Sequence, residues 1–309
     1  MFLYIIRRIL FLIPVLLGVA FCVFTLLYLT PGDPARMVLG EQATLTAIQE
    51  FRAREGLDQP FLIQFGNYIY KAVTQGDIGR SYVTKRSVMH EIITAFPATL
   101  KLSAFAVFIA ILVGLPCGIL SAIKQYSIFD TVAMIFAMIG LSMPVFWLGL
   151  LLILLFSVHL RWLPPSGFDS FKAMVLPSLA LSAQSISMIT RMTRSSMLEV
   201  VRADYIRTAR SKGQKESVVI WVHALHNALI PVVTLCGLQF GHLLAGAILT
   251  ESIFAIPGVG RLMVESIKSR DYPVVQGGVL FVAVAFSLVN LLVDLLYAYI
   301  DPRIKAQYK

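Results

Sequence analysis

The sequence predicts an all-α integral membrane protein with six transmembrane helices and one large polar insert after the first. Three observations carry this. Of the 309 residues, 58% are hydrophobic and only 14% charged, whereas a soluble domain carries about 25% charged residues. The apolar residues gather in six runs, most of them long enough for the ~20-residue helix that crosses a ~30 Å hydrocarbon core. Only one polar stretch, 30–99, is long enough to hold structure of its own.

Arg7 and Arg8 introduce the first run, Ile9 to about Tyr28. A signal peptide also starts with positive charge, but its apolar core spans only ~7–15 residues and ends at a small-residue cleavage site. This run is longer and leads into Thr-Pro-Gly-Asp-Pro. It reads as an uncleaved span, and residues 1–29 form the first unit.

Residues 30–99 form the second. They hold seven basic and seven acidic residues, and loops of this length cross the membrane regardless of charge. Turn signals fall at Pro31-Gly-Asp-Pro34, Gly56-Leu-Asp-Gln-Pro60 and Gly76-Asp-Ile-Gly79. Between them, Phe61 to Val73 has the apolar spacing of a helix. The segment reads as a small ordered extracytoplasmic cap.

The third unit, 100–309, holds five more runs: Leu100–Ile123, Thr131–Val158, Ala173–Ile189, Leu225–Leu249 and Val274–Ile300. The run from Ala173 is short and is expected to recruit Ser187 to Met192. Pro116 and Pro144 are expected kinks. Gly114 and Gly118, and again Gly237 and Gly241 with Ala245 beyond, have the small-residue spacing that lets helix backbones approach closely. Cys22, Cys117 and Cys236 all fall in apolar runs and read as small core residues, without disulfide or metal spacing.

The net charge of +9 orients spans and does not signal nucleic acid. With a cytoplasmic N-terminus, thirteen basic residues lie in inside segments, the tail residues Arg303, Lys305 and Lys309 among them. Five lie in the short outside loops. Both termini and the segment 192–224 are therefore expected in the cytoplasm.

The motifs for chemistry fail one by one. His90-Glu91 lacks the second histidine of a zinc-protease helix. His223 and His226 share a helix face, but no carboxylate or thiol is close in sequence. Gly140-Leu-Ser142-Met-Pro144 lacks the second glycine of a nucleophile elbow. No Gly-rich phosphate loop ending in Gly-Lys-Ser/Thr occurs, so the chain is not expected to hold a nucleotide itself. No catalytic, cofactor or metal residues are expected. Asp294 is the one carboxylate well inside a span, with three readings: a pair with Arg303, a pair with a neighbouring helix, or a proton-transfer group.

One polar interruption remains in the second half. It carries Arg207, Arg210, Lys212 and Lys215. Residues 202–213 can form a short helix on which Ala209 and Gly213, four apart, make a small strip for a close neighbour, and Gly213 is a natural helix stop. A solvated loop that only sets orientation is the plain alternative.

These residues resemble the cytoplasmic coupling motif of ABC importer permeases of the dipeptide/oligopeptide/nickel branch. The general pattern is Glu-Ala-Ala, three residues, Gly, nine residues, Ile-x-Leu-Pro. Here Arg207-Thr208-Ala209, Gly213 and His223-Ala-Leu-His226 take those places, and the departures are similar to the peptide branch's own version. The likeness continues through Pro97-Ala-Thr-Leu100, Ser142-Met-Pro-Val-Phe-Trp147, Arg191-Met-Thr-Arg-Ser-Ser-Met197, Pro257-Gly-Val-Gly260, Arg270-Asp-Tyr-Pro-Val-Val-Gln276 and Asp301-Pro-Arg303. It is nearest to the first permease subunit of dipeptide importers.

The resemblance implies the type I ABC importer permease fold in a bacterial inner membrane. It implies a second homologous permease as heterodimer partner, two cytoplasmic ATPases that bind ATP and Mg, and an extracytoplasmic solute-binding protein. Asp204, Tyr205, Arg207, Thr208, Ala209 and Gly213 would couple to the ATPase. Glu251, Phe254, Pro257, Gly258 and Arg261 would form an extracytoplasmic gate or binding-protein contact. Dipeptides or short oligopeptides are the implied solute, with glutathione, haem precursors or a nickel chelate as alternatives. An ion-coupled secondary transporter is the rival class; it would carry several intramembrane charges and an internal repeat.

Overall fold

A computed structural model describes residues 2–40 and 42–300. Helix α1 (Phe2–Leu29) is apolar beyond Arg8, and most of its described side chains are exposed within the chain, as suits a helix facing lipid. Cys22 is among the exposed residues and is not a core residue; Cys117 and Cys236 are half-buried.

The insert folds. Asp33 caps α2 (Pro34–Leu39) by accepting the Ala35 N–H at 3.1 Å, and Thr44 caps α3 (Leu45–Glu55) by accepting the Ala47 N–H at 3.4 Å. Ala35, Ile48 and Phe51 form a small core beneath Leu57 and Tyr82. Helix α4 (Phe61–Gln75) carries Phe61, Phe65 and Tyr68 on one face. They pack against Phe21, Phe24 and Tyr28 of α1, mostly edge to face, with ring centroids 5.1–6.2 Å apart.

Helix α5 (Val88–Ile123) begins well before the expected limit at residue 100. The reason is packing: Val88 and Ile92 are fully buried against Val259, Met263 and Val274. Residues 88–99 thus continue helix α5, despite their polar neighbours in sequence. Helix α5 continues unbroken through Pro97 and Pro116, so Pro116 does not interrupt it. The break falls at Pro144, where α6 (Ile128–Ser142) meets α7 (Val145–Leu152, extended by a π-helical turn to His159) at 108°. The third apolar run is a bent pair, and with it the helices suited to crossing a membrane number six among the described residues.

Helix α8 (Phe171–Val201) extends past Met192 as its short apolar run requires. After it come α9 (Asp204–Ser211), α10 (Glu216–Val218) and a π turn at Val219–Ala224. That turn leads into α11 (Leu225–Gly246). The short α12 (Ile248–Ile253) and α13 (Val259–Lys268) precede the last span, α14 (Tyr272–Ile300).

Four apolar clusters are stacked along α5: one at Val88 and Ile92, one at Leu102 and Ala106, one at Ala110, and one at Ile119 and Ala122. Both glycine pairs lie at helix crossings. Gly114 and Gly118 face α8, and a methyl group at Gly118 would lie 2.6 Å from the Thr190 carbonyl oxygen. Gly237 and Gly241 meet Val293 and Phe286 of α14. Asp294 pairs with Arg8 of α1 at 2.6 Å, the neighbouring-helix reading; Arg303 and the matched Asp301-Pro-Arg303 lie outside the described residues. The start of α1, the later part of α14, the 124–127 loop and α9 therefore share one end of the bundle. The insert and α12–α13 occupy the other.

Candidate functional site

At the first end, α9 is held by one apolar side chain. Ile206 is fully buried in a cluster that also holds Ile119 and Ala122 of α5, Met197 of α8, Val219 and Ala224 of the π turn and Ala228 of α11. Ala209, next on that face, is half-buried against the same cluster. Asp204, Tyr205, Arg207, Thr208 and Gly213 are exposed. The helix thus presents a charged outer face and an apolar inner one. The small strip expected at Ala209 and Gly213 is divided: Ala209 leans on its own chain, and only Gly213 is open.

Gly213 ends the helix. Its φ of 74° is left-handed, its N–H donates to Arg210 C=O at 2.9 Å, and the Gln214 N–H reaches Ala209 C=O at 3.4 Å. This pair of bonds is a Schellman motif, which favours glycine at that position. Nothing lies within 4 Å of where a Gly213 side chain would begin, so no neighbour in the chain demands glycine there. Three bonds brace the element from outside: Asn227 Nδ2 donates to Tyr205 Oη at 2.9 Å, and Arg210 grips Glu216 at 2.6 and 3.1 Å. The π turn carries half-buried His223 and separates α9 from the regular part of α11. Such turns shift helix register and recur at functional sites.

Behind α9 lies a polar cluster that sequence reasoning missed. The buried Asp130 accepts from Arg194 Nε and Nη2 at 2.7 Å each, from Ser121 Oγ, and from the Tyr126 N–H at 3.0 Å. It joins α5, α6 and α8. A signal was present: Ser127-x-x-Asp130 is a capping-box spacing, and Ser127 does accept the Asp130 N–H at 3.2 Å. The aspartate side chain turns to Arg194, which no local pattern specifies.

At the other end, Glu251 is fully buried. Oε1 accepts from Thr99 Oγ1 at 2.6 Å and Oε2 from the Arg261 N–H at 3.0 Å, with the Gly260 N–H beside it. Thr99 Oγ1 in turn accepts the Val259 N–H at 2.9 Å. A carboxylate thus sits at the N-terminus of α13, where free N–H groups and the helix dipole favour it. Burial nonetheless wins and raises its pKa above the usual carboxylate value. Gly258 is what lets the loop fold over it, since a side chain there would run into the Glu251 carboxylate.

Phe254 is fully buried in the central cluster, and Pro257 is exposed. Arg261 is half-exposed, bonding Glu265 at 2.7 Å and Ala255 C=O at 2.8 Å. Of the five residues singled out here, Glu251, Phe254 and Gly258 reach no surface of the chain and act inside it. Pro257 and Arg261 can meet another protein. Nearby, buried Asp271 receives Ser81 Oγ, the Tyr82 N–H at 2.9 Å and the Val83 N–H at 3.3 Å, tying the insert to the start of α14.

These features define a polytopic membrane protein with a docked surface helix at one end and a folded cap at the other. Residues 114–306 match the family model described as binding-protein-dependent transport system inner membrane component, and residues 1–103 match its N-terminal companion. The chain belongs to this family of transport permeases. It is 48% identical to the dipeptide transport system permease protein DppB of Alkalihalophilus pseudofirmus, covering 98% of this chain and 99% of that one. It is also 48% identical to the glutathione transport system permease protein GsiC of Salmonella choleraesuis, over 98% of each chain. The di/tripeptide permease DppB of Pseudomonas aeruginosa is 44% identical over 98% of this chain and 99% of its own. In fold, the chain is similar to the MetNI methionine ABC transporter in an inward-facing form. The TM-score is 0.56 at 17% identity, over 69% of this chain and 97% of that one.

Proposed function

We propose that this chain is the permease subunit of an ATP-driven importer for dipeptides or short oligopeptides. It forms half of the translocation pathway with a second homologous permease. ATP hydrolysis is left to two cytoplasmic ATPase subunits, which bind ATP and Mg, and delivery of solute to an extracytoplasmic binding protein. The basic bias of 192–224 supports a cytoplasmic α9 and cytoplasmic termini in a bacterial inner membrane.

The observation that carries the mechanism is the seating of Ile206. Ile206 on α9 belongs to one buried cluster with residues of three spans and the π turn, so a push on the exposed face is passed through close-packed side chains toward α5, α8 and α11. Uptake of labelled dipeptide into cells carrying Gly213→Asp tests it. Aspartate tolerates the left-handed backbone better than most residues, and the site is open, so the subunit should insert at normal levels. A charged side chain at the docking face should then abolish uptake; normal uptake removes the coupling role.

Glutathione is the second reading, supported by a glutathione permease as similar as the dipeptide one. Competition of dipeptide uptake by glutathione separates the two.

A further inference from the structure

Helix α8 is packed on most sides by α5, α6, α7 and α11. Beyond Lys172, its exposed residues are Met188, Arg191, Ser195 and Glu199. Spacings of three and four place them on one side of the helix. Half-buried Gln184 extends this stripe by one turn, away from α9. Only Met188 within it is apolar.

The neighbouring spans are open in a different way. Every exposed residue of α5 between Ala104 and Leu120 is apolar, as is every one of α6 between Val132 and Ile139. Those faces suit hydrocarbon, whereas a stripe holding a guanidinium and a carboxamide does not. Depth does not explain the contrast. Arg194 meets Asp130 at the start of α6, and Ser187 lies against Gly140 near its end. Arg191 and Met188 therefore fall within the length of apolar α6. Arg191 has no hydrogen bond or ion pair among the described residues, and Asp130, the carboxylate that α6 turns to α8, is held by Arg194. An ionisable side chain at such a depth faces a water-filled space or a polar partner. The flank is polar too: Gln239 Nε2 of α11 lies 2.6 Å from Met188 Sδ, and His242, one turn on, is exposed.

We propose that the open stripe of α8, from Glu199 to Gln184, is one wall of a water-filled passage that opens at the α9 end. Arg191 gives that wall a positive potential, which favours the carboxylate end of a small polar solute. Lipid tails would leave Arg191 without any partner. A tightly packed second subunit would have to offer it a carboxylate and match the polar groups of four successive turns. Water and a passing solute satisfy all of them without a fixed partner. The passage presupposes the importer function proposed above; it adds where in this chain the pathway runs and which charge it presents.

The test labels single cysteines in the full transporter complex in nanodiscs, with Cys22, Cys117 and Cys236 replaced by alanine. Met188→Cys is compared with Val113→Cys on α5. Both parent residues are 40% exposed, and Gly114, beside Val113, lies against Ile189, so the two stand at one depth. The reagents are membrane-impermeant methanethiosulfonates carrying a sulfonate or a quaternary ammonium, and mass spectrometry reads modification of this subunit. Met188→Cys should react about tenfold faster or more than Val113→Cys in the nucleotide-free or the ATP-bound complex. Adding Arg191→Gln should lower the ratio of sulfonate to ammonium rates several-fold, and Arg191→Lys should restore it. Gln184→Cys takes the place of Met188→Cys if that variant fails to assemble. Equal reaction on α8 and α5 in both states means that lipid or a second subunit covers the stripe, and overturns the proposal. A rate ratio unmoved by Arg191→Gln overturns it too. Labelling needs no uptake, so the passage can fail while Gly213→Asp still blocks transport, and the reverse.

Discussion

The guanidinium of Arg194, on α8, grips both carboxylate oxygens of Asp130, at the start of α6, at 2.7 Å each. Because Ser121 of α5 donates to the same carboxylate, one aspartate fixes three helices just behind α9. Removing Asp130 leaves the half-buried Arg194 charge, 23% exposed, without its partner, which costs less than the roughly 3–5 kcal/mol of a fully buried pair. Asp130→Leu and Arg194→Met, each alone, should lower the unfolding temperature in detergent. The double change Asp130→Leu with Arg194→Met should recover most of the loss, and a double-mutant cycle measures the coupling.

The α5–α8 crossing makes a second prediction. A methyl group at Gly118 meets a backbone carbonyl 2.6 Å away, and backbone cannot swing aside. Gly118→Ala should cost about 1–3 kcal/mol by overpacking. Gly66, inside α4, has nothing within 4 Å of its side-chain position. Gly66→Ala should instead stabilise by about 0.5–1 kcal/mol. Opposite signs for one substitution, read by thermal unfolding, would confirm the packing.

Glu251 should make stability depend on pH. Its folded pKa is raised by burial above the ordinary carboxylate value, so the folded chain holds the proton more tightly than the unfolded one. Its contribution is complete below the unfolded pKa and is lost as pH rises through the folded value. Glu251→Gln has no proton to lose. The variant should show a flatter fall in unfolding temperature from pH 4.5 upward than the parent, and an equal slope would show that Glu251 does not titrate in that range.

The bonds that Asp271 makes to Ser81, Tyr82 and Val83 hold a loop that also carries exposed Arg80, Lys85 and Arg86. Asp271→Ala should release it. Tryptic cleavage between 80 and 86 should speed up tenfold or more, equivalent to about 1.4 kcal/mol of local stability, while cleavage at Lys212 and Lys215 stays unchanged.

Local chemistry was legible in the sequence; long-range partnership was not. The apolar runs located every span, and the turn signals around Phe61–Val73 marked α4 and its neighbours. The polar look of His90 and Glu91 hid the fact that Val88 and Ile92 line one buried face, so the insert was assigned residues belonging to α5. Pro116 and Pro144 look alike in sequence, yet only Pro144 ends a helix. Helical neighbours can absorb a proline in the membrane. At the docked helix, the glycine stop at 213 was readable from its spacing, whereas Ala209 turning inward depends on Met197 and Val219 being close by. Glu251 stood out through the family likeness, but its partner Thr99 lies 152 positions away and nothing local points to it.

The pair between Arg8 and Asp294 joins an early-made helix to one made after every other span described. At about 5–20 residues per second, the first helix waits on the order of 15–60 s in the bilayer before its counter-charge is made. Closure of the bundle between α1 and α14 is thus an event of late biosynthesis. A chain truncated before Asp294 should lose this pair and insert with α1 less firmly held against α14, which a higher rate of membrane proteolysis would report.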